Sequence, residues 1–285
     1  MAPNMWNVLS ESKSIVNSQP HHYLTLSLIF LLPLSFLSLL FQFISKNFQQ
    51  QLSTNPTTII SLYLLFIILS CIIAFGAVIT ITYSVFHACF NRPVKLKEAL
   101  KSIITSFFPL LATATVAFVV FFFIFFLFGL LIGLVLFLIT YLGHVDLKTN
   151  PNLVALCFMV LFMIVLLPLV TYLLVNLSFM KIIVVVESSW GFEPLRRSWK
   201  LVKGMKRLVL STILLFGFLE VILLKISCYS LVLVLVISPI LAILMLYNIV
   251  VNTVLYIHCK EKHGEVADVE FGNEKDGANL SLIPV

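Results

Sequence analysis

The sequence predicts an all-α integral membrane protein, a helical bundle with about six transmembrane helices and short amphipathic helices at its surface. Hydrophobic residues make up 61% of the 285 residues and charged residues only 11%, whereas soluble domains contain about 25% charged residues. A soluble globule of this length could not cover so much apolar surface with a polar exterior. In addition, three short basic amphipathic segments each lead into a long apolar run; these segments are 3–18, 93–105 and 191–204.

Six apolar runs reach the length of about 20 residues that a transmembrane helix requires. They are residues 23–45, 57–86, 107–142, 152–186, 207–224 and 229–257. The runs divide the chain into three regions. These are a cytosolic amphipathic segment (1–22), a six-span membrane domain (23–258) and a disordered acidic cytosolic tail (259–285) that is rich in Gly and Asn.

The third and fourth runs are longer than a bilayer is thick. With a rise of 1.5 Å per residue, each would measure about 54 Å, against roughly 30 Å for the hydrocarbon core. We therefore expect these helices to tilt, to extend beyond the bilayer or to break. Gly129 and Gly133 mark a weak point in the third run, and Pro168 marks a kink in the fourth.

The Lys and Arg side chains are distributed unevenly between the two ends of the six spans. One side carries Lys13, Arg92, Lys95, Lys97, Lys101, Arg196, Arg197, Lys200, Lys203, Lys206, Arg207, Lys260, Lys262 and Lys275. The other side carries Lys46, Lys148 and Lys225, and Lys181 lies within a span end. Because positive residues are retained in the cytosol, both termini are predicted to be cytosolic. We expect a membrane of the secretory pathway, either the endoplasmic reticulum or the plasma membrane.

The three amphipathic segments lie roughly 90 residues apart, and each precedes a pair of spans. This spacing favours three repeats of an interfacial helix followed by a transmembrane hairpin. In the third segment, the apolar face consists of Phe192, Leu195, Trp199 and Val202. Anionic lipids of the cytosolic leaflet are expected to bind the basic residues Arg196, Arg197, Lys200, Lys203 and Lys206. The alternative is a connector whose apolar stripe packs on the underside of the bundle.

The third segment carries a recognisable motif, formed by Glu187, Gly191, Leu195, Arg197-Ser198-Trp199, Leu201 and Gly204. It resembles the glycerophosphoryl diester phosphodiesterase membrane-domain family, in which a Glu ends a span and a Gly, an Arg-Ser-Trp helix and a second Gly follow. The resemblance implies a six-span protein of the uncharacterised stand-alone type that plants encode. It also implies a structural motif, namely Glu187, Gly191, Ser198, Trp199 and Gly204.

The resemblance does not extend to the phosphodiesterase activity. In those enzymes a soluble catalytic barrel follows the membrane domain, and such a barrel typically takes about 250 residues. Here only a short polar segment follows the sixth run. The cysteines have no CxxC spacing, His87, His144 and His258 are isolated at span ends, and no Ser/His/Asp order stands out. We therefore expect no catalytic residue, no metal and no cofactor. We expect no nucleic-acid partner either, because the basic residues adjoin membrane spans.

Two functions fit these observations. The first is a non-catalytic membrane protein that organises lipids, trafficking or partner proteins through its basic amphipathic helices, with Glu187 holding the third helix through Arg196 or Arg197. The second is a transporter or channel for a small solute. It is motivated by the six spans and by four polar residues within them: Asn176, Glu220, Asn248 and Asn252. A cavity within the membrane lined by these Asn residues would favour the second function. A lipid-processing enzyme is a third possibility, for which the sequence offers no candidate residues.

Overall fold

A computed structural model describes residues 4–47, 56–90, 92, 94–143, 155–156 and 159–265. These residues are almost entirely helical and include no strand. Six helical stretches among them are long and apolar enough to cross a membrane: Pro20–Ser45, Ile60–Cys89, Leu96–Tyr141, Met159–Glu187, Lys206–Ser227 and Leu231–Lys262. The predicted fold class, an all-α membrane protein with six spans, is therefore confirmed.

The chain begins with a short amphipathic helix, α1 (Met5–Ser18), which buries Val8 and Ser12 against the bundle. The first span follows as α2 (Pro20–Leu26), a π-helical turn (Ser27–Leu31) and α3 (Leu32–Asn47). Pro33 lies two residues after the end of the π-helical turn. Because proline has no N–H to donate to the carbonyl four residues before it, the wider turn accommodates a helix that would otherwise be broken.

The second and third spans are the helices α4 (Pro56–Cys89) and α5 (Leu96–Gly143). The 48 residues of α5 correspond to a length of about 72 Å, so this helix is longer than a bilayer is thick. It continues without a break through Gly129 and Gly133. A glycine costs only about 1 kcal/mol in a helix, and lipid offers no other partner for the backbone groups that a break would release.

The separate amphipathic helix that we expected at 93–105 is not present, because α5 begins at Leu96 and includes this segment. Its apolar stripe packs on the bundle: Ile103 and Phe107 contact a buried cluster that contains Ile79 and Val184. The alternative, a stripe that packs on protein, is therefore correct for this segment. Of the three proposed repeats, the first and third have a separate short helix and the second does not.

The fourth span is broken. After a π-helical turn (Phe162–Leu166), α6 (Leu167–Asn176) ends, and the helix resumes as α7 (Met180–Glu187). This π-helical turn ends two residues before Pro168, just as the π-helical turn of the first span ends two residues before Pro33. The interruption itself comes later, at 177–179, a segment that contains no proline or glycine to indicate it.

Three helices complete the chain: α8 (Glu193–Val202), α9 (Lys206–Ser227) and α10 (Leu231–Lys262). A tight turn joins α9 to α10, and the Ser230 hydroxyl caps α10 by accepting a hydrogen bond from the Leu233 N–H (3.2 Å). Helix α10 packs against α1, α3, α4, α8 and α9, which makes it the central helix of the bundle.

Helix α10 also continues five residues beyond the predicted end of the sixth run. Cys259 and Lys260, which we assigned to the disordered tail, are buried within it. The helix extends because one face of its last turns packs against α1 and α8. The remainder of the predicted tail, from residue 266, lies outside the described residues.

Candidate functional site

The short helix α8 lies at the end of the bundle where α1 and the last turns of α10 also meet, which we call the basic end. The chain turns sharply to reach it. Ser188 adopts a left-handed conformation (φ 51°) and so does Gly191 (φ 79°). The Gly191 N–H donates to Thr113 Oγ1 (3.1 Å) on α5. Gly191 thus serves as the turn residue that the motif predicts, because positive φ strains other residues.

A buried carboxylate anchors α8 to the bundle. Glu187 ends α7, and its Oε2 forms an ion pair with Arg197 Nε of α8. Its Oε1 accepts hydrogen bonds from the Tyr256 hydroxyl (2.5 Å) and from Lys260 Nζ (3.3 Å), both on α10. Arg197 Nη2 also reaches Glu265 Oε2 (2.9 Å). The Glu187 side chain is 5% exposed and that of Lys260 is 2% exposed, so the charges in this cluster compensate one another away from water.

Ser198 bridges the break in the fourth span. Its hydroxyl donates to the Asn176 carbonyl (2.6 Å), which ends α6, and accepts from the Phe179 N–H (3.3 Å), which precedes α7. In an unbroken helix these two backbone groups would bond to the backbone one turn away. One fully buried hydroxyl therefore replaces both lost hydrogen bonds.

The remaining motif residues also have local contacts. Trp199 packs edge-on against Tyr172 of α6, with 5.9 Å between the ring centroids, and 44% of its surface is exposed. Gly204 has positive φ (95°), and its carbonyl accepts a hydrogen bond from Lys262 Nζ (3.0 Å) at the end of α10. All five motif residues thus lie where α8 joins the bundle.

The structure divides the five residues that we predicted to bind lipid into two groups. Arg196, Lys200 and Lys203 are exposed. Arg197 lies in the ion-pair cluster, and Lys206, the first residue of α9, lies 4.8 Å from the centre of the Tyr172 ring. Arg197 faces the bundle because α8 buries the face that carries it, and lipid binding by the five residues stays a prediction.

A groove lies beneath the outward face of α8. Its volume is about 430 Å³, and its walls come from α5, α6 and α8. The apolar lining residues are Val120, Leu173, Leu177, Phe192, Leu195 and Trp199. Arg196 and Lys200 also line it, as does Asn176. The groove therefore combines an apolar interior with two cations, which suits a molecule that has an acyl chain and an anionic headgroup.

A second cavity, of about 330 Å³, lies on the other side of the break, between α5, α6, α7, α9 and α10. Its polar lining residues are Ser178, Lys181, Glu220, Asn248 and Asn252. The structure thus brings together three of the four polar residues that motivated the transporter hypothesis. Asn176 is separate from them and lines the groove under α8.

The comparisons with known proteins give one result. Residues 55–274 match a family described as a domain of unknown function, DUF8558. The chain belongs to this family. No curated protein and no solved structure matches it, so the resemblance to the glycerophosphoryl diester phosphodiesterase membrane domain stays a prediction. The family match spans the second to the sixth transmembrane helix and includes α8 with its anchor.

Sequence reasoning missed three members of the anchor: Tyr256, Lys260 and Glu265. For Tyr256 and Lys260, the sequence contains a signal: they are four residues apart, and residues at this spacing share one face of a helix. In the structure, both contact Glu187 from α10. For Glu265, nothing in the sequence indicates a contact with Arg197, 68 residues away. Within the described residues, no group of three or more His, Cys, Asp and Glu could hold a metal ion.

Proposed function

We propose that this chain is a non-catalytic multi-pass membrane protein that binds anionic phospholipids at its cytosolic face and organises lipids or partner proteins there. The observation that carries the proposal is the asymmetry of α8. Its inner face is fixed by Glu187, Arg197 and Ser198. Its outer face presents Arg196 and Lys200 to the surroundings.

Physical chemistry connects this geometry to anionic lipid. A basic residue near the surface of the cytosolic leaflet contributes about 1 kcal/mol of attraction, because phosphatidylserine and phosphoinositides make this surface negative. Exposed aromatic residues such as Trp199 and Phe192 favour the headgroup region. The groove beneath α8 provides a place for one acyl chain next to Arg196 and Lys200. The proposal places the protein in the endoplasmic reticulum or plasma membrane, with both termini in the cytosol.

The test uses the full-length protein in detergent with added short-chain phosphatidylserine or phosphatidylcholine, and measures bound lipid by native mass spectrometry. The variant replaces Arg196, Lys200 and Lys203 with Gln. At about 1 kcal/mol per residue, we expect its affinity for phosphatidylserine to fall about a hundredfold. Binding of phosphatidylserine by the unchanged protein should also weaken as the salt concentration rises.

The matched control replaces Lys95, Lys97 and Lys101 with Gln. These three residues are also exposed, lie at the start of α5 and carry the same total charge. We expect this control to keep its affinity for phosphatidylserine. Equal losses in the two variants would show that net charge, and not the α8 site, attracts the lipid. Equal affinity of the unchanged protein for both lipids would contradict the proposal.

A further inference from the structure

We propose that the cavity beside the break in the fourth span binds a small zwitterionic group, one that carries both a cationic amine and an anionic carboxylate or phosphate. The inference concerns the second cavity, lined by Ser178, Lys181, Glu220, Asn248 and Asn252, and does not rest on lipid binding by α8. It would give the chain the solute site that the transporter hypothesis requires.

The two charged residues of the cavity have opposite signs but do not form an ion pair. Lys181 extends from α7 and Glu220 from α9, and both line the same space. The two side chains are close enough to attract each other, but neither makes a salt bridge or a hydrogen bond within the part of the chain that the structure describes. Ionisable groups inside a membrane domain are costly unless they are compensated. A ligand with one charge of each sign would compensate both residues at once.

The anionic end of the ligand is assigned to the Lys181 side. Lys181 is the second residue of α7, and the N-terminus of a helix carries a partial positive charge. The break at 177–179 brings this helix start to the cavity, and Ser178 of the break lines it. Broken helices whose ends face a substrate site inside the membrane are a recurring arrangement in transporters.

The cationic end is assigned to Glu220 and the amides of α10. Asn252 Nδ2 donates to Asn248 Oδ1 and to the Asn248 carbonyl, both at 2.7 Å. This arrangement uses one donor group and leaves Asn252 Oδ1 without a hydrogen bond in the described residues. An ammonium group has three N–H donors. Glu220 and Asn252 Oδ1 supply a carboxylate and an amide oxygen to receive them.

The depth of the cavity places it inside the membrane domain. Glu220 lies fourteen residues after Lys206, the start of α9, which corresponds to about 21 Å. Asn252 lies eight residues before Lys260, or about 12 Å. Two sources could supply a zwitterion at this depth: a free solute of amino-acid size, or the headgroup of a phosphatidylethanolamine molecule.

The experiment measures the midpoint of thermal unfolding of the purified full-length protein with three zwitterionic probes: leucine, glycerophosphoethanolamine and phosphatidylethanolamine. 4-Methylpentanoate and isoamylamine, which each lack one charged group of leucine, serve as ligand controls. A ligand that binds the folded state raises its apparent stability. We expect at least one zwitterion to raise the midpoint by about 3 °C or more, and the single-charge analogues to have no effect. A shift with leucine or glycerophosphoethanolamine indicates a free solute, and a shift with phosphatidylethanolamine alone indicates a lipid headgroup.

Lys181→Met and Glu220→Gln should each abolish the shift and keep binding of phosphatidylserine. Asn252→Ala retains both charges and should reduce the shift, which provides a test if a charge variant fails to fold.

Lys225→Met and Glu193→Gln make the same chemical changes away from the cavity and should leave the shift intact. The proposal is overturned if no zwitterion raises the midpoint, or if the cavity variants respond as the unchanged protein does. The variant with Gln at Arg196, Lys200 and Lys203 should lose phosphatidylserine binding but still show the rise in unfolding midpoint with a zwitterion. The two proposals can therefore fail independently.

Discussion

At the scale of single residues, Ser198 shows how a polar side chain compensates for a broken backbone inside a membrane. The Asn176 carbonyl and the Phe179 N–H have lost their helical partners at the break, and the Ser198 hydroxyl bonds to both. An alanine has no hydroxyl, and water has little access because Ser198 and Asn176 are buried. The side chain therefore has a structural role that its neighbours Arg197 and Trp199 cannot provide.

We expect Ser198→Ala to destabilise the protein by about 1–3 kcal/mol, the cost of a buried polar group without a partner. The measurement is the midpoint of thermal unfolding in detergent. Ser189→Ala is the matched control, because Ser189 Oγ is buried and makes no hydrogen bond in the described residues, so its removal should cost little. A Ser198→Ala variant as stable as this control would show that the backbone at 177–179 finds other partners.

At the scale of secondary structure elements, α8 depends on its anchor. A ten-residue helix is marginal by itself in water, and α8 has no covalent constraint beyond its two turns. An ion pair between Glu187 and Arg197 joins α8 to α7. From the spacing, we expected Glu187 to pair with either Arg196 or Arg197. Tyr256 and Lys260 extend the same contact to α10. The anchor thus joins three elements through one carboxylate.

Removal of one partner from a buried ion pair costs about 3–5 kcal/mol, so Glu187→Gln should lower the thermal stability of the protein strongly. Arg197→Gln should do the same. The double variant should be less destabilised than the sum of the two, by about 0.5–3 kcal/mol, because both changes remove the same interaction. Glu193→Gln, at an exposed position in the first turn of α8, is the control and should change little.

Additive effects in this double-mutant cycle would mean that Glu187 and Arg197 act independently, in spite of their contact. A different result would bear on function. If Glu187→Gln left the stability unchanged and abolished a transport or enzymatic activity, Glu187 would have a direct part in that activity. The proposal of a non-catalytic lipid-binding protein would then be wrong.

At the scale of the whole molecule, hydropathy was sufficient to predict the number of spans, because lipid requires each crossing segment to be long, apolar and helical. The excess length of the fourth span indicated that it would tilt, extend or break, but not that it breaks at 177–179, because this break depends on Ser198, about 20 residues later in the chain. The second cavity was beyond prediction for a similar reason: Lys181, Glu220 and Asn252 come from three different helices. The motif indicated the anchor on α8 but not the contribution of α10.

The contacts at the basic end also bear on the orientation of the molecule. Glu11 of α1 accepts a hydrogen bond from His258 of α10 (2.8 Å), and Lys262 of α10 reaches the Gly204 carbonyl (3.0 Å). The first helix, α8 and the end of the last helix are therefore on the same side of the bundle. A model with an odd number of spans would separate α1 from the end of α10.

Because the sequence assigns fourteen Lys and Arg residues to this side and three to the opposite side, we expect it to face the cytosol. In sealed microsomes, added protease should then remove the segment that follows α10, and a tag after Val285 should disappear without detergent. Asn279, in the acceptor sequence Asn279-Leu280-Ser281, should stay unmodified, because glycosylation occurs only on the luminal side. As a control, an acceptor sequence introduced at Lys148, in the loop assigned to the opposite side, should be glycosylated. A protected tag together with a glycosylated Asn279 would reverse the orientation. It would also remove α8 from the anionic cytosolic leaflet on which the proposed function depends.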